Sequence, residues 1–235
     1  MKKVFLFSLG LLVALSSLLV SCEEVVGDND GGTGTSFHNG HEYVDLGLPS
    51  GTKWATCNVG ATKPWECGGY YAWGETEEKD NYDSSTYKWC NGSYDTMTKY
   101  CIDSDYGTVD NKTILDLEDD VAHVKWGGSW RMPTIEEYEE LGRLCTLVWC
   151  SVNNVSGCKV IGPNGNNVFF PAAGVKYDSC LEGKGEVFVG WLNTLYNKED
   201  YTYCAYCIEL ELVELEPEYD AYDREMGLSV RPVCK

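Results

Sequence analysis

Positive charge is scarce in this chain. Its 235 residues hold 18 Lys and Arg against 37 Asp and Glu, a net charge of −19. Nucleic-acid binding draws its affinity mainly from cationic side chains that neutralise phosphates, so DNA and RNA are excluded as partners. Histidine is rarer still. His38, His41 and His123 show neither metal-ligand spacing nor an obvious acid partner, which makes each a structural residue. No convincing Ser-His-Asp order or Gly-rich phosphate loop stands in the sequence. Beyond residue 20 there is no second long apolar run and, from about His38 onward, no internal repeat or break in composition.

The rest of the composition is that of a globular protein, 43% apolar, 23% charged and 13% aromatic, which excludes a disordered or collagenous chain. A chain of this length can bury a core without staples, so its 12 cysteines are optional for folding.

Residues 1–21 read as a signal peptide. Lys2 and Lys3 precede an apolar run from Val4 to Val20, which ends in Leu19-Val20-Ser21-Cys22. The run is short for a membrane span. The ending resembles the lipobox of bacterial lipoproteins, which implies cleavage before Cys22 and lipid attached to that cysteine. The membrane is then a partner through the anchor, and the net charge deepens to −21 on loss of the two lysines. Residues 22–37 are acidic, Gly-rich and aperiodic, a flexible tether. Their acids look like the export signal that carries lipoproteins of Bacteroidota-type bacteria to the outer surface of the outer membrane. The alternative is a solvated linker on a periplasm-facing lipoprotein.

Residues 38–235 form one domain. Thr134 and Glu137 make a Thr-x-x-Glu capping box at a helix start, and Ile135, Tyr138, Leu141 and Cys145 share one apolar face. A shorter acidic helical turn is expected around Leu117 to Val124. Between Cys204 and Leu212 apolar residues alternate with Ala205, Cys207, Glu209 and Glu211, which predicts a strand with one wet face and a flip at Val213 and Leu215. Pro163-Asn164-Gly165-Asn166 predicts a hairpin turn between two strands. The stretch from Glu75 to Thr113 has little periodicity. Few helices, short antiparallel strands and long loops make an α+β fold, and loops of that length are functional or stapled.

Five segments carry a family likeness: Trp54-Ala55-Thr56-Cys57-Asn58-Val59-Gly60-Ala61, Gly69-Tyr70-Tyr71-Ala72-Trp73-Gly74-Glu75, Gly127-Gly128-Ser129-Trp130-Arg131-Met132-Pro133-Thr134, Phe170-Pro171-Ala172-Ala173-Gly174 and Ser229-Val230-Arg231-Pro232-Val233. In this order they resemble the Fibrobacter succinogenes major paralogous domain, a family abundant among surface lipoproteins of gut Bacteroidota. The resemblance implies a C-type-lectin-like domain of the formylglycine-generating-enzyme type. It implies no settled activity. The chain departs from the pattern at Val189-Gly190-Trp191-Leu192-Asn193-Thr194, where a strand of aromatic-Trp-Ser-Ser type is expected, so no ligand held by those serines carries over.

Formylglycine-generating enzymes bind copper through two cysteines. Cys204 and Cys207 are the tempting pair here, but three residues apart on a strand they point to opposite faces. Setting Cys22 aside leaves 11 cysteines, an odd number. Cys90 and Cys101, which bracket a polar loop, are expected to form a disulfide, and Cys57 and Cys234 to be small buried hydrophobes. Asp103, Asp105 and Asp110 around a glycine turn, with Asp119 and Asp120, offer hard oxygen ligands for calcium, with Asp116 and Glu118 close by in sequence. Ile114 stands where an EF-hand would place its closing Glu. The solvated acidic loop is the alternative.

Aromatics among Ser, Asn, Asp and Gly are the composition of binding surfaces. Tyr82, Tyr87, Trp89 and Tyr94 are the loop residues expected to meet a glycan or protein ligand, while Tyr70, Tyr71 and Trp73 are expected in the core. Asp95-Thr96-Met97 is similar to an O-glycosylation acceptor motif of these bacteria, with Thr96 the acceptor. The sequence thus predicts a non-catalytic binding or adhesion module. A degenerate enzyme and a structural envelope or fimbria subunit are the alternatives.

Overall fold

The computed structural model describes residues 36–197, 201–211 and 218–235, without the side chains of residues 218 and 219. The signal segment, Cys22 and the flip at Val213 and Leu215 therefore lie outside the described residues. The elements are short and all strand pairs antiparallel, an α+β fold with few helices. Among the described residues no helix is long and apolar enough to cross a membrane.

A four-stranded sheet in the order β1-β2-β3-β12 joins Ser36–His38, His41–Asp45, Lys53–Ala55 and Val233–Cys234, numbered as β1, β2, β3 and β12. Ser36 and Phe37, read from sequence as tether, thus belong to the fold. A second sheet holds β4 (Thr146–Val152), β5 (Val155–Ile161) and β6 (Asn167–Pro171). The expected hairpin joins β5 to β6, and Gly165 supplies the positive φ of its turn, +86°. A small hairpin pairs β7 (Val175–Tyr177) with β8 (Cys180–Glu182). The third main sheet runs β11-β10-β9, from Glu218–Asp223, Cys204–Glu211 and Val187–Leu195.

The two helices follow from their caps. A 3-10 turn at Leu117–Asp119 leads into α1, Val121–Trp126, whose first amides at Ala122 and His123 are taken by the Asp120 carboxylate. In α2, Ile135–Leu144, Thr134 accepts from the Glu137 amide while the Glu137 carboxylate accepts from the Thr134 amide, the capping box read from sequence. Tyr138 and Leu141 are buried against Leu46, Trp54 and Phe170, and Ile135 and Cys145 pack on the same cluster. Tyr138 alone removes roughly 150 Å² or more from water, a contribution of a few kcal/mol.

Strand β10 corrects one expectation. Ala205 and Cys207, assigned to a wet face, are fully buried in the core that also holds Trp73, Trp130 and Trp191. The strand lies between β9 and β11, and its pairing shifts register between Ala205 and Cys207. Core covers both faces at this end, and only Glu211 is exposed. Small side chains at 205 and 207 read as polar in an alternation count, yet they are what fits between two packed layers.

Residues 227–234 cross the middle of the molecule and bind almost every layer. Leu228 pairs with Tyr71, the Ser229 carbonyl accepts from Trp191, the Val230 carbonyl from Val59, and Val233 exchanges two hydrogen bonds with Arg131. Arg231 is fully buried: its guanidinium donates to the carbonyls of Ala55, Thr56 and Phe169 and to Asn58 Oδ1. Its charge is thus spread over four acceptors, as burial demands.

Candidate functional site

Residues 56–116 contain no helix and no strand, only isolated bridges. Disulfides do not hold this segment. No disulfide joins any of the described cysteines, Cys90 and Cys101 included, which corrects the expected bridge. The Cys90 thiol instead meets the Ser84 carbonyl at 2.9 Å, and the Cys101 thiol meets the Asp103 carbonyl at 3.1 Å. Cys234 is buried as expected, and Cys57 is half-buried.

Aromatic rings do the stapling. Tyr70 Oη donates to the Ala173 carbonyl, Tyr82 Oη to the Tyr70 carbonyl and Tyr87 Oη to the Trp73 carbonyl, at 2.6, 2.6 and 2.7 Å. Trp73 Nε1 donates to the Leu192 carbonyl and Trp89 Nε1 to the Gly74 carbonyl, both at 2.8 Å. Each ring thus buries apolar area and satisfies one carbonyl that a loop would leave unpaired. Burial pushes the Tyr82 and Tyr87 phenols above their ordinary range, so both remain donors. Two of the expected ligand residues are therefore corrected. Tyr82 is wholly buried and Tyr87 nearly so, and neither can meet a ligand. Trp89 is half-buried, with the ammonium groups of Lys88 and Lys99 lying 4.1 and 4.9 Å from its ring centre.

Tyr94 is exposed, as expected, and it is not alone. It sits on the turn that Thr96 closes by accepting from the Asn91 amide and donating to the Ser93 carbonyl. The Thr96 hydroxyl is thereby half-buried and in use at the base of that turn. Behind the turn, Met97 is buried, and its backbone bonds to Tyr106 and Thr108 bring Tyr106 beside Tyr94. Gly107 is needed there: its φ is +146°, and a Cβ would stand 2.1 Å from the Met97 carbonyl oxygen.

Tyr203, just ahead of β10, completes the group. Its ring centre lies 5.2 Å from Tyr94, 5.6 Å from Tyr106 and 6.2 Å from Tyr201, with planes tilted by 40–51°. Tyr94 is 52% and Tyr201 38% exposed, while Tyr106 and Tyr203 are half-buried and lean on the loop core. Four tyrosines from two distant parts of the chain therefore form one surface patch. Tyr201 and Tyr203 were missed from sequence because a Tyr-x-Tyr pair at a strand start reads as core. Asp95 and Asp105, chain neighbours of Tyr94 and Tyr106, are exposed. Tilted rings at this spacing offer apolar faces to stack on, and phenol and carboxylate edges offer hydrogen bonds.

The proposed calcium ligands do not converge. Asp110 accepts from the amides of Tyr100, Cys101 and Lys112, and Asp103 from the amide of Asp105. Asp120 accepts from Ala122, His123 and Met132. Asp105 is exposed. Among the described residues one carboxylate group gathers closely, Asp116, Glu118 and Asp119. A cation from the chain already sits there. Lys99 Nζ is 2.6 Å from Asp116 and Asp119 and 3.7 Å from Glu118. Burial opposes the Lys99 charge, but its bonds to Asp116 and Asp119 outweigh that and raise its pKa. Bonds from Lys112 and Lys99 hold the Asp116 carboxyl down at about 2.

Cys204 and Cys207 offer no reactive pair. The Cys204 thiol meets Asp223 at 3.2 Å, Cys207 is wholly buried, and burial pushes both thiols up. Neither is the thiolate that nucleophilic or metal chemistry uses. The histidines are structural, as read: His41 stacks on Trp126 at 3.8 Å, His38 bonds Ser129, and His123 bonds the Trp130 carbonyl.

No family model, no curated protein and no solved structure matches the chain.

Proposed function

We propose that this chain is a lipid-anchored outer-membrane protein, held through Cys22 and exposed at the cell surface, whose single C-type-lectin-like domain is a non-catalytic binding module for a glycan. The observation that carries the reading is the patch of Tyr94, Tyr106, Tyr201 and Tyr203 on a rigid loop scaffold. Sugar rings present flat C–H faces that stack on tyrosines, and their hydroxyls match phenol and carboxylate edges. The scaffold supports this use: buried Tyr82, Tyr87 and Met97 fix the loops before any ligand arrives, which lowers the entropy cost of binding. The excess of acid favours neutral or amino sugars over sulfated or sialylated ones.

The test is a glycan array and a panel of host surface proteins probed with the full chain in detergent, alongside Tyr94→Ala and Tyr203→Ala variants. Retention of a glycan that both variants lose supports the reading. Silence across the array with capture of a protein through the same tyrosines makes the module a protein adhesin. Binding that neither variant disturbs places the ligand elsewhere. Protease shaving of intact cells tests exposure: cleavage of the domain without lysis is expected, and protection turns the protein to the periplasm.

A further inference from the structure

A strand at the edge of a sheet leaves every second amide and carbonyl without a ladder partner, and proteins close such edges unless they use them. This molecule closes most of its own. The outer side of β6 meets Arg231, whose guanidinium donates to the Phe169 carbonyl, and ends in Pro171, which has no N–H. The outer side of β9 is met by other segments: the amides of Trp191, Asn193 and Leu195 donate to the carbonyls of Ser229, Pro133 and Thr113. β11 carries the acids Glu218, Asp220 and Asp223, and β1 and β8 are three residues long.

β4 is the exception among the described residues. Its sequence, Thr146-Leu147-Val148-Trp149-Cys150-Ser151-Val152, holds no charge, no Pro and no Gly, and its pairing with β5 runs without a bulge. The turn behind it decides which groups point outward. Asn153 and Asn154 both have positive φ, 50° and 64°, so this two-residue turn closes on a hydrogen-bonded pair, Val152 with Val155. Alternation then aims the amides and carbonyls of Val152, Cys150, Val148 and Thr146 at β5, and those of Leu147, Trp149 and Ser151 away from it. β5 agrees: Ser156, next to Val155, turns its carbonyl the other way, to the Ala172 amide beyond β6. Among the described residues nothing hydrogen-bonds the outward groups of Leu147, Trp149 and Ser151.

Whatever pairs there must be an extended strand, and charge says which. The chain carries −19. A cationic partner drawn by that field would meet no carboxylate along β4, whereas a second copy, repelled over the rest of its surface, can approach along an uncharged strand. The strand is also its own complement. Turned antiparallel about Trp149, two copies set Trp149 opposite Trp149, Leu147 opposite Ser151 and Val148 opposite Cys150. Each outward amide then finds an outward carbonyl, around an aromatic cross-strand pair. The Leu147 and Trp149 side chains already pack on their own core, so the new bonds are made by backbone.

We propose that β4 pairs edge to edge with β4 of a second copy, joining two domains through one continuous sheet about a two-fold axis. An interface of one strand pair is small, so the dimer is reversible. It is independent of the glycan reading.

The experiment is sedimentation velocity of the full chain in detergent, with micelles in excess, from micromolar to millimolar protein, together with backbone amide exchange. A dimer that grows with concentration is expected. Exchange at Trp149 and Ser151 should slow with it, while Val148 and Cys150, already bonded to β5, stay unchanged. Ser151→Pro removes an outward amide at an edge position where proline is tolerated, and should weaken the dimer about tenfold or more with the unfolding midpoint kept. Val148→Lys places a charge on the edge, as natural edges do to prevent pairing, and should weaken the dimer by a similar factor. It decides the matter even if Ser151→Pro does not fold. A monomer at every concentration overturns the proposal, and so does a dimer that both variants leave intact. Slow exchange at Trp149 and Ser151 in the monomer means that the same chain covers this edge, and slowing only in a membrane extract assigns it to another protein; either result overturns the proposal too.

Discussion

At the residue scale, the aromatic side chains divide by what their polar tip does. Tyr82 is buried with its hydroxyl on a backbone carbonyl, and Tyr94 is half in water with its ring against two others. Tyr82→Phe should therefore cost about 1–2 kcal/mol, the penalty of a buried carbonyl left without its donor. Tyr94→Ala should change stability by about 0.5 kcal/mol or less, as an exposed site does. Urea unfolding of the two variants checks both. Lys99 gives a sharper case, because its ammonium occupies a carboxylate cluster. Lys99→Met should cost about 2–4 kcal/mol by leaving Asp119 short of its nearest cation. Thermal melts with millimolar calcium should then restore part of the loss in the variant and leave the natural chain unmoved. No single sequence window could show this cluster as filled, because the filling residue sits 17–20 positions upstream in an aperiodic loop.

At the scale of elements, legibility followed locality. The α2 cap was readable because Thr134 and Glu137 are three residues apart and the chemistry closes within one turn. The β5–β6 hairpin was readable for the same reason at Gly165. The faces of β10 were not, since Ala205 and Cys207 are buried by layers contributed from residues 55–130. Two carboxylates make the elements testable by pH. Burial works against the Glu137 charge, but the bonds from Arg131 and the Thr134 amide win and hold its pKa below the ordinary carboxyl range. A lowered pKa stabilises the fold above the unfolded value and loses that contribution as pH falls through the folded one. Glu137→Gln should cost about 2 kcal/mol at pH 7, with the gap to the natural chain closing below about pH 4. Glu209 on β10 behaves in the opposite sense. Burial, with Glu211 and Asp220 adding to it, raises its carboxyl to about 8. A raised acid is neutral when the fold is most favoured, so stability is full below about pH 4.5 and is lost as pH climbs toward 8. Glu209→Gln should match the natural chain at pH 4 and exceed it by about 1 kcal/mol at pH 8. Melting curves across that range read both effects.

At the scale of the whole molecule, the five segments that carry the family resemblance meet one another. The Gly69 amide donates to the Val59 carbonyl, Tyr70 Oη to the Ala173 carbonyl, Arg131 pairs with Val233, and Arg231 donates to the carbonyls of Ala55 and Thr56. They are framework. The tyrosine patch lies outside them, on surface loops. The surplus of 19 negative charges is a whole-molecule property too, with a sequence isoelectric point near 4.4. Self-repulsion of that size is screened by salt, so the unfolding midpoint at pH 7 should rise by a few degrees between low salt and about 0.5 M sodium chloride. A fall would mean that exposed ion pairs outweigh the repulsion.

The placement of residues 227–234 also sets a schedule. Arg231 closes contacts to residues 62 and 173–176 positions earlier in the chain, and β12 fills the edge of the sheet begun by β1. The edge of that sheet and the acceptors around Arg231 cannot be completed before this stretch arrives. The domain should therefore assemble late and all at once, with a slow folding step set by long loop closures. A chain so arranged stays open and reachable by chaperones until residues 227–234 have emerged and docked.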